Sequence, residues 1–80
     1  MSALEIKPAA AFAVNVRFDE ETLHVDLADG RSISAPLEWF ASLRNATAAQ
    51  RANWRLIGRG VGIHWDDLDE DLSVAGLLEH

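Results

Sequence analysis

Length, composition and charge exclude several classes of protein. The chain has 80 residues, enough for one domain, which we predict over residues 1–77, and its net charge of −6 opposes general binding to nucleic-acid phosphates. It has no cysteine, which excludes disulfide scaffolds and thiolate zinc sites and favours a cytoplasmic protein. No stretch approaches the ~20 apolar residues of a membrane-spanning helix, so no membrane association is expected.

Three antiparallel strands are predicted first, over residues 12–18, 23–28 and 31–35. Apolar residues alternate with other residues in the first two stretches, as is typical of half-buried strands. Pairing Phe18 with Leu23 puts Val14 opposite Leu27 and gathers the apolar side chains on one face. The polar side chains then share the outer face of the sheet: Asn15, Arg17, His24, Asp26, Ser32 and Ser34.

The turn between the second and third strands is predicted from the core pattern. A two-residue turn at Asp29 and Gly30 would move Ile33 to the polar face. A three-residue loop over residues 28–30, with Gly30 at positive φ, keeps Ile33 in the core instead. The sequence therefore predicts an antiparallel meander.

Short helices and a further β segment are predicted next. Pro36 ends the third strand and begins a helix over residues 37–44, whose Leu37, Phe40 and Leu43 share a face. Thr47 and Gln50 form a capping box for a helix over residues 48–54. Residues 55–65 indicate a strand pair or one strand with a glycine bulge. A helical turn capped by Ser73 follows over residues 73–77, giving a small α+β domain; residues 78–80 read as a tag remnant.

The segment over residues 58–71 contains the candidate site. Its alternating glycines, Gly58, Gly60 and Gly62, resemble a phosphate loop only superficially, because the β-like Ile63-His64-Trp65 follows where such a loop needs a helix. We interpret them as structural. Five carboxylates then lie within residues 66–71. With His64 they could bind a divalent cation, but their spacing fits no calcium loop, and a solvated acidic turn is the alternative.

Catalytic residues and cofactors are not predicted. His24 and His64 could act as bases, but no serine or threonine has a nucleophile-elbow context. A different feature is a basic strip near Trp54, where Arg51 and Arg55 stand one turn apart if the second helix extends that far. These arginines either pair with the acidic run or serve as interface anchors.

Four motifs in sequence order carry a resemblance to a known family. They are Leu-x-Val-x-Leu-Ala-Asp-Gly-Arg (23–31), Pro-Leu-x-Trp-Phe-x-x-Leu (36–43), Ala-Thr-x-x-Gln-Arg (46–51) and Gly-x-Gly-Ile-His-Trp-x-x-Leu-Asp-Glu-Asp (60–71). The chain thereby resembles the bacterial domain-of-unknown-function 2442 family, with Asp66 where the family usually has proline. The resemblance implies a small α+β domain without enzymatic activity, encoded beside another small protein as in a toxin–antitoxin pair.

The leading hypothesis is a noncatalytic binding or regulatory module with a protein partner. Asp69, Glu70 and Asp71 would contact a basic partner, while His64 and Trp65 hold the segment in shape. Arg51 and Arg55 are further candidate contacts. The alternatives are a metal- or ligand-binding domain using His64 and Asp69, and direct nucleic-acid binding through the four arginines Arg44, Arg51, Arg55 and Arg59. A second copy of the chain is another candidate partner.

Overall fold

Two three-stranded antiparallel sheets and three short α-helices make up the α+β fold in the computed structural model, which describes residues 11–79. The first sheet, in the order β1–β2–β3, comprises β1 (Ala13–Phe18), β2 (Thr22–Leu27) and β3 (Ser32–Pro36). The second, in the order β4–β5–β6, comprises β4 (Trp54–Ile57), β5 (Gly62–Trp65) and β6 (Glu70–Ser73). The predicted fold class is confirmed.

Within the described residues, five short helices connect or follow the strands. A 3₁₀ helix (Leu37–Trp39), α1 (Ala41–Arg44) and α2 (Ala48–Ala52) join the two sheets, a second 3₁₀ helix (Asp66–Leu68) joins β5 to β6, and α3 (Val74–Leu78) follows β6. Within residues 11–79, no helix has the length and apolar character needed to cross a membrane.

The first hairpin has the predicted register except at its start. Phe18 pairs with Leu23 and Val16 with Val25, as the alternation predicted. A bulge between Ala13 and Asn15 then puts Ala13 opposite Leu27, so the prediction for Val14 is wrong: Ala13 is 1% exposed and Val14 53%. The cause is a contact from another part of the chain, because the Ala13 N–H donates to the Gly60 carbonyl at 2.8 Å.

The second hairpin confirms the predicted three-residue loop. The Leu27 N–H donates to the Arg31 carbonyl at 2.8 Å, Val25 pairs with Ile33, and Gly30 has a φ of 96°. On the outer face of this sheet, polar side chains hydrogen-bond one another. Asp26 accepts from Arg17 at 2.8 and 3.0 Å and also from Ser32 and Asn15, which hold the pKa of its carboxyl below the usual range.

The helical region is more broken than predicted. The expected helix over residues 37–44 is interrupted at Phe40 (φ −129°, ψ 87°), although Leu37 and Leu43 are both buried. The capping box is confirmed, since the Gln50 N–H donates to Thr47 Oγ1 at 3.1 Å and the Thr47 N–H to Gln50 Oε1 at 2.9 Å. The second helix ends at Ala52 and not at residue 54, because Trp54 pairs with Trp65 in the second sheet.

One hydrophobic core is shared by both sheets and the helices. Its largest fully buried side chains come from each part: Trp65, Leu23, Leu43, Ile63 and Val25. The Trp65 ring packs edge-to-face on Phe18 with centroids 6.3 Å apart, and its Nε1 donates to the Arg51 carbonyl at 2.9 Å. Trp65 thus joins the second sheet to both β1 and α2.

Candidate functional site

The turn between β4 and β5 is shaped by glycine. Gly58 and Gly60 have φ values of 61° and 109°, which L side chains rarely adopt. A Cβ at Gly60 would also lie 2.3 Å from the Ala13 carbonyl oxygen. Residues 55–65 form a strand pair, which was one of the two predicted arrangements. The turn lies so close to the Ala13 backbone that position 60 requires glycine.

The acidic run is more ordered than a solvated turn. Residues 66–71, which we call the acidic corner, comprise the second 3₁₀ helix, Asp69 and the start of β6. Asp69 has a left-handed backbone with a φ of 52°, and β6 then pairs with β5 so that Asp71 lies opposite His64. The predicted cap is confirmed at the end of this strand, where Ser73 Oγ accepts from the Gly76 N–H at 2.9 Å.

His64, in β5, contacts two carboxylates of the acidic corner. It lies in a cross-strand row between Arg55 on β4 and Asp71 on β6. Its Nδ1 hydrogen-bonds Asp71, and its Nε2 lies 2.9 Å from Oδ1 of Asp66. The hydrogen bond with Asp71, followed by the charges of Asp71 and Asp66, raises the pKa of His64 above its ordinary 6.5, although partial burial and Arg55 oppose the shift.

The other carboxylates of the corner differ in how firmly they are held. Glu70 accepts a hydrogen bond from Ser42 Oγ, and Asp67 accepts one from Asn53 Nδ2 at 3.3 Å. Asp66 also forms an ion pair with Arg55 at 3.4 Å. The exposed Asp69 side chain makes no hydrogen bond or ion pair within residues 11–79. Four of the five carboxylates are therefore positioned by neighbours.

A metal site is not supported by this geometry. The two ring nitrogens of His64 face carboxylates on opposite sides of the ring, so Asp66 and Asp71 cannot converge on one ion together with a ring nitrogen. Asp69 does not join them. In the part of the chain that the structure describes, no group of three or more histidine or carboxylate side chains is arranged to hold a metal ion.

The two candidate arginines lie in different surroundings. Arg55 is in β4 and contacts the acidic corner. Arg51, in α2, donates from Nε to the Leu43 carbonyl at 2.8 Å and from Nη2 to the Arg44 carbonyl at 2.9 Å. A shared helical face required the second helix to extend to residue 55, and that condition is not met, because α2 ends between the two arginines at Ala52.

Two side chains that organise the site were not predicted from the sequence, those of Ser42 and Asn53, and Asp66 was predicted only as a member of the acidic run. Ser42 and Asn53 hold Glu70 and Asp67, and Asp66 closes the second side of the His64 ring. Ser42 is 28 positions from Glu70 and Asn53 is 14 from Asp67, so no local spacing pattern could identify these pairs. Trp65, a predicted site residue, is fully buried and supports the corner from inside.

Comparisons with known proteins agree with this fold. Residues 13–80 match the family described as protein of unknown function (DUF2442). The chain is similar to the crystal structure of a protein of unknown function from Rhodospirillum rubrum, with 32% identity over 86% of each chain and a TM-score of 0.74. It is also similar to the solution structure of an uncharacterized protein from Chromobacterium violaceum, with 26% identity over 85% of this chain and 64% of the other, and a TM-score of 0.72. No curated protein matches the sequence.

Proposed function

The chain belongs to the DUF2442 family of proteins of unknown function, and from this premise we propose that it is a noncatalytic binding module whose acidic corner contacts a basic protein partner. The role is regulatory and antitoxin-like, with the partner encoded by a neighbouring gene. The observation that carries the proposal is the fixed placement of carboxylates around His64.

The acidic corner has an excess of negative charge. It holds five carboxylates, against which His64 and Arg55 can supply two positive charges, so the net charge is −3 (2 − 5) even when His64 is protonated. A carboxylate that accepts one hydrogen bond keeps further lone pairs for a second donor. Lysine or arginine side chains of a partner complement this charge.

The acidic corner is also preorganised. Asp66, Asp67, Glu70 and Asp71 already have side-chain partners, so binding has to immobilise few of them. Asp69 is exposed and keeps its carboxylate available for a direct ion pair. The net charge of −6 for the whole chain adds long-range attraction for a basic protein.

The test uses the purified product of the neighbouring gene and isothermal titration calorimetry at several salt concentrations. The variant Asp67→Asn with Asp69→Asn removes two charges without touching His64. We expect about tenfold weaker binding, equal to about 1.4 kcal/mol, and a shallower salt dependence. Unchanged affinity together with unchanged salt dependence would remove the proposal.

The control for this test changes net charge by the same amount at other sites. Asp29→Asn with Glu79→Gln also removes two carboxylates, and neither residue belongs to the acidic corner. We expect this control to retain nearly all of the affinity. If it weakens binding as much as the first variant, the effect is one of net charge and the acidic corner is not the contact surface.

A further inference from the structure

A groove runs beside the first hairpin, on a surface that does not include the acidic corner. It consists of two adjoining cavities of about 360 and 550 Å³, which share Glu20 and Arg51 in their walls. The smaller cavity lies between the hairpin tip, the first 3₁₀ helix and the end of α1, and the larger one lies between β1, α2 and Trp54. We call the two together the hairpin groove.

We propose that the hairpin groove binds an extended peptide segment of a protein partner, with large apolar side chains in the larger cavity and lysine or arginine side chains in the smaller one. The inference extends the proposed function, because both require a basic partner, but it concerns separate residues. Three features of the groove carry it: an apolar wall, an open strand edge and unpaired carboxylates.

The apolar wall comes from both sides of the larger cavity. Phe18 and Trp54 are half-buried and therefore keep part of each ring accessible. Ala48 and Ala52, four residues apart on α2, face them with small side chains that leave the space open. Burial of a leucine-sized side chain against such a wall contributes favourably to binding.

The strand edge supports an extended conformation for the bound segment. The Asp19 N–H donates to the Thr22 carbonyl at 3.0 Å, and because antiparallel bonding alternates, the N–H and C=O of Phe18 point away from β2. Arg17 and Phe18 both line the larger cavity, although their side chains lie on opposite faces of the sheet. Because a cavity can contact both faces only at the edge of a sheet, the larger cavity follows the edge of β1. Such an edge can pair with an added strand.

The charges of the smaller cavity favour a basic segment. The carboxylates of Glu20, Glu21 and Glu38 make no hydrogen bond or ion pair with other residues in the described range 11–79. Arg51 already uses its guanidinium on two carbonyl oxygens, and the group lies 6.0 Å from the Phe18 ring centroid. Arg44 also lines this cavity, and its guanidinium makes no hydrogen bond or ion pair within residues 11–79. The three carboxylates and the two arginines leave a net charge of −1, which a cationic side chain of a partner complements.

The geometry of the groove is fixed in advance. The Leu37 N–H donates to the Glu21 carbonyl at 2.9 Å, which ties the hairpin tip to the first 3₁₀ helix. Arg51 ties α2 to the end of α1 through the same two carbonyl contacts. Both walls are thus held by hydrogen bonds that a ligand does not need to form.

The test follows the full chain, labelled with ¹⁵N, by NMR during titration with defined peptides. The probe is the capped peptide Leu-Val-Leu-Lys-Arg-Lys, and its reversed sequence covers the opposite strand direction. One control peptide replaces the apolar residues by glycine, and the other replaces the basic residues by glutamate. We expect at least one probe to bind five times more tightly than both controls, with shifts at the Phe18 amide and the Trp54 indole.

Two matched variants locate the binding. Ala48→Trp fills the larger cavity, whereas Ala49→Trp makes the same change at an exposed neighbour that does not line it. We expect the first to reduce probe affinity at least tenfold and the second to leave it within twofold. Glu21→Gln with Glu38→Gln should weaken the probe about fivefold without unfolding the chain, because both are exposed.

Three results would overturn the inference. The first is equal affinity for the probes and for the control peptide whose apolar residues are glycine. The second is an unchanged probe affinity in Ala48→Trp. The third is a dimer, detected by sedimentation, that Ala48→Trp dissociates, because a second copy of the chain would then occupy the groove. Asp67→Asn with Asp69→Asn should leave probe binding within twofold. If Asp67→Asn with Asp69→Asn leaves partner affinity unchanged while the probe peptide still binds the groove, only the proposed function is contradicted. If that variant weakens partner binding while the probe peptide does not bind, only the groove proposal is contradicted.

Discussion

Gly60 shows how one residue determines the start of the first sheet. Its φ of 109° lies in a region that side chains disfavour, and a Cβ there would be 2.3 Å from the oxygen and 2.9 Å from the nitrogen of Ala13. Both Ala13 atoms belong to the backbone, and the Ala13 N–H also donates a hydrogen bond to the Gly60 carbonyl. The contact therefore cannot relax by a rotamer change, and any side chain would separate the turn from β1.

The first prediction compares Gly60→Ala with Gly30→Ala. Gly30 also has a positive φ, 96°, but a Cβ there would meet no atom within 4 Å. We expect a loss of about 1–2 kcal/mol in the free energy of unfolding for Gly30→Ala, from backbone strain alone. Gly60→Ala should lose about 3 kcal/mol or more, because overpacking adds to the strain. Urea denaturation measures both, and equal losses would contradict the close approach.

Among the strands, those with a longer alternation of apolar and polar residues were predicted more accurately. The alternation in β1 and β2 extends over enough residues to determine the register, and the core position of Ile33 selects the loop before β3. The bulge at Ala13 could not be predicted, because it depends on Gly60. β6 was missed for another reason: its four residues include only one apolar side chain, Leu72, and its order comes from pairing with β5.

The sequence predicted which residues belong to the candidate site but not most of the side-chain contacts between them. His64 and the carboxylates stand out because they are crowded in sequence, and the fold does bring His64 and Asp71 into contact. The contacts from Ser42 and Asn53 arise only from tertiary packing. Arg51 and Arg55 do not share a helix, because α2 stops at Ala52, and helical spacing alone gives no signal for that end.

The second prediction concerns the link that His64 makes between β5, β6 and the second 3₁₀ helix. A histidine whose folded pKa is raised stabilises the fold fully below its unfolded pKa of about 6.5, and this stabilisation is lost as pH rises through the folded pKa. Asp71→Asn removes the largest cause of the shift. We therefore expect a lower pKa for His64 in this variant and a smaller loss of stability between pH 6 and pH 9.

NMR titration of the His64 ring and denaturation at each pH measure these two effects. Asp69→Asn is the control, because the Asp69 side chain makes no contact with His64 within residues 11–79. It should change neither the pKa of His64 nor the pH dependence of unfolding appreciably. An unchanged His64 titration in Asp71→Asn would show that the cross-strand hydrogen bond is absent in solution.

At the scale of the whole molecule, neither sheet has a core of its own. Val25 from the first sheet and Ile63 from the second are both fully buried in the same cluster, and Trp65 contacts Phe18 across the sheets. A three-stranded sheet of this size can bury one of its faces only by packing against the second sheet. The two sheets should therefore unfold together, although residues 37–53 separate them in the sequence.

The third prediction tests this cooperation by hydrogen exchange of the slowest amides in each sheet. Ile63→Val removes one buried methyl group and should lower the free energy of unfolding by about 1 kcal/mol, and Val25→Ala by about 2 kcal/mol. Because the core is shared, each variant should lower the exchange free energy of β2 and β5 amides equally. Val14→Ala, at an exposed site, should change neither. A loss confined to the sheet that carries the substitution would mean that the sheets open independently, and the hairpin groove and the acidic corner would then belong to separate folding units.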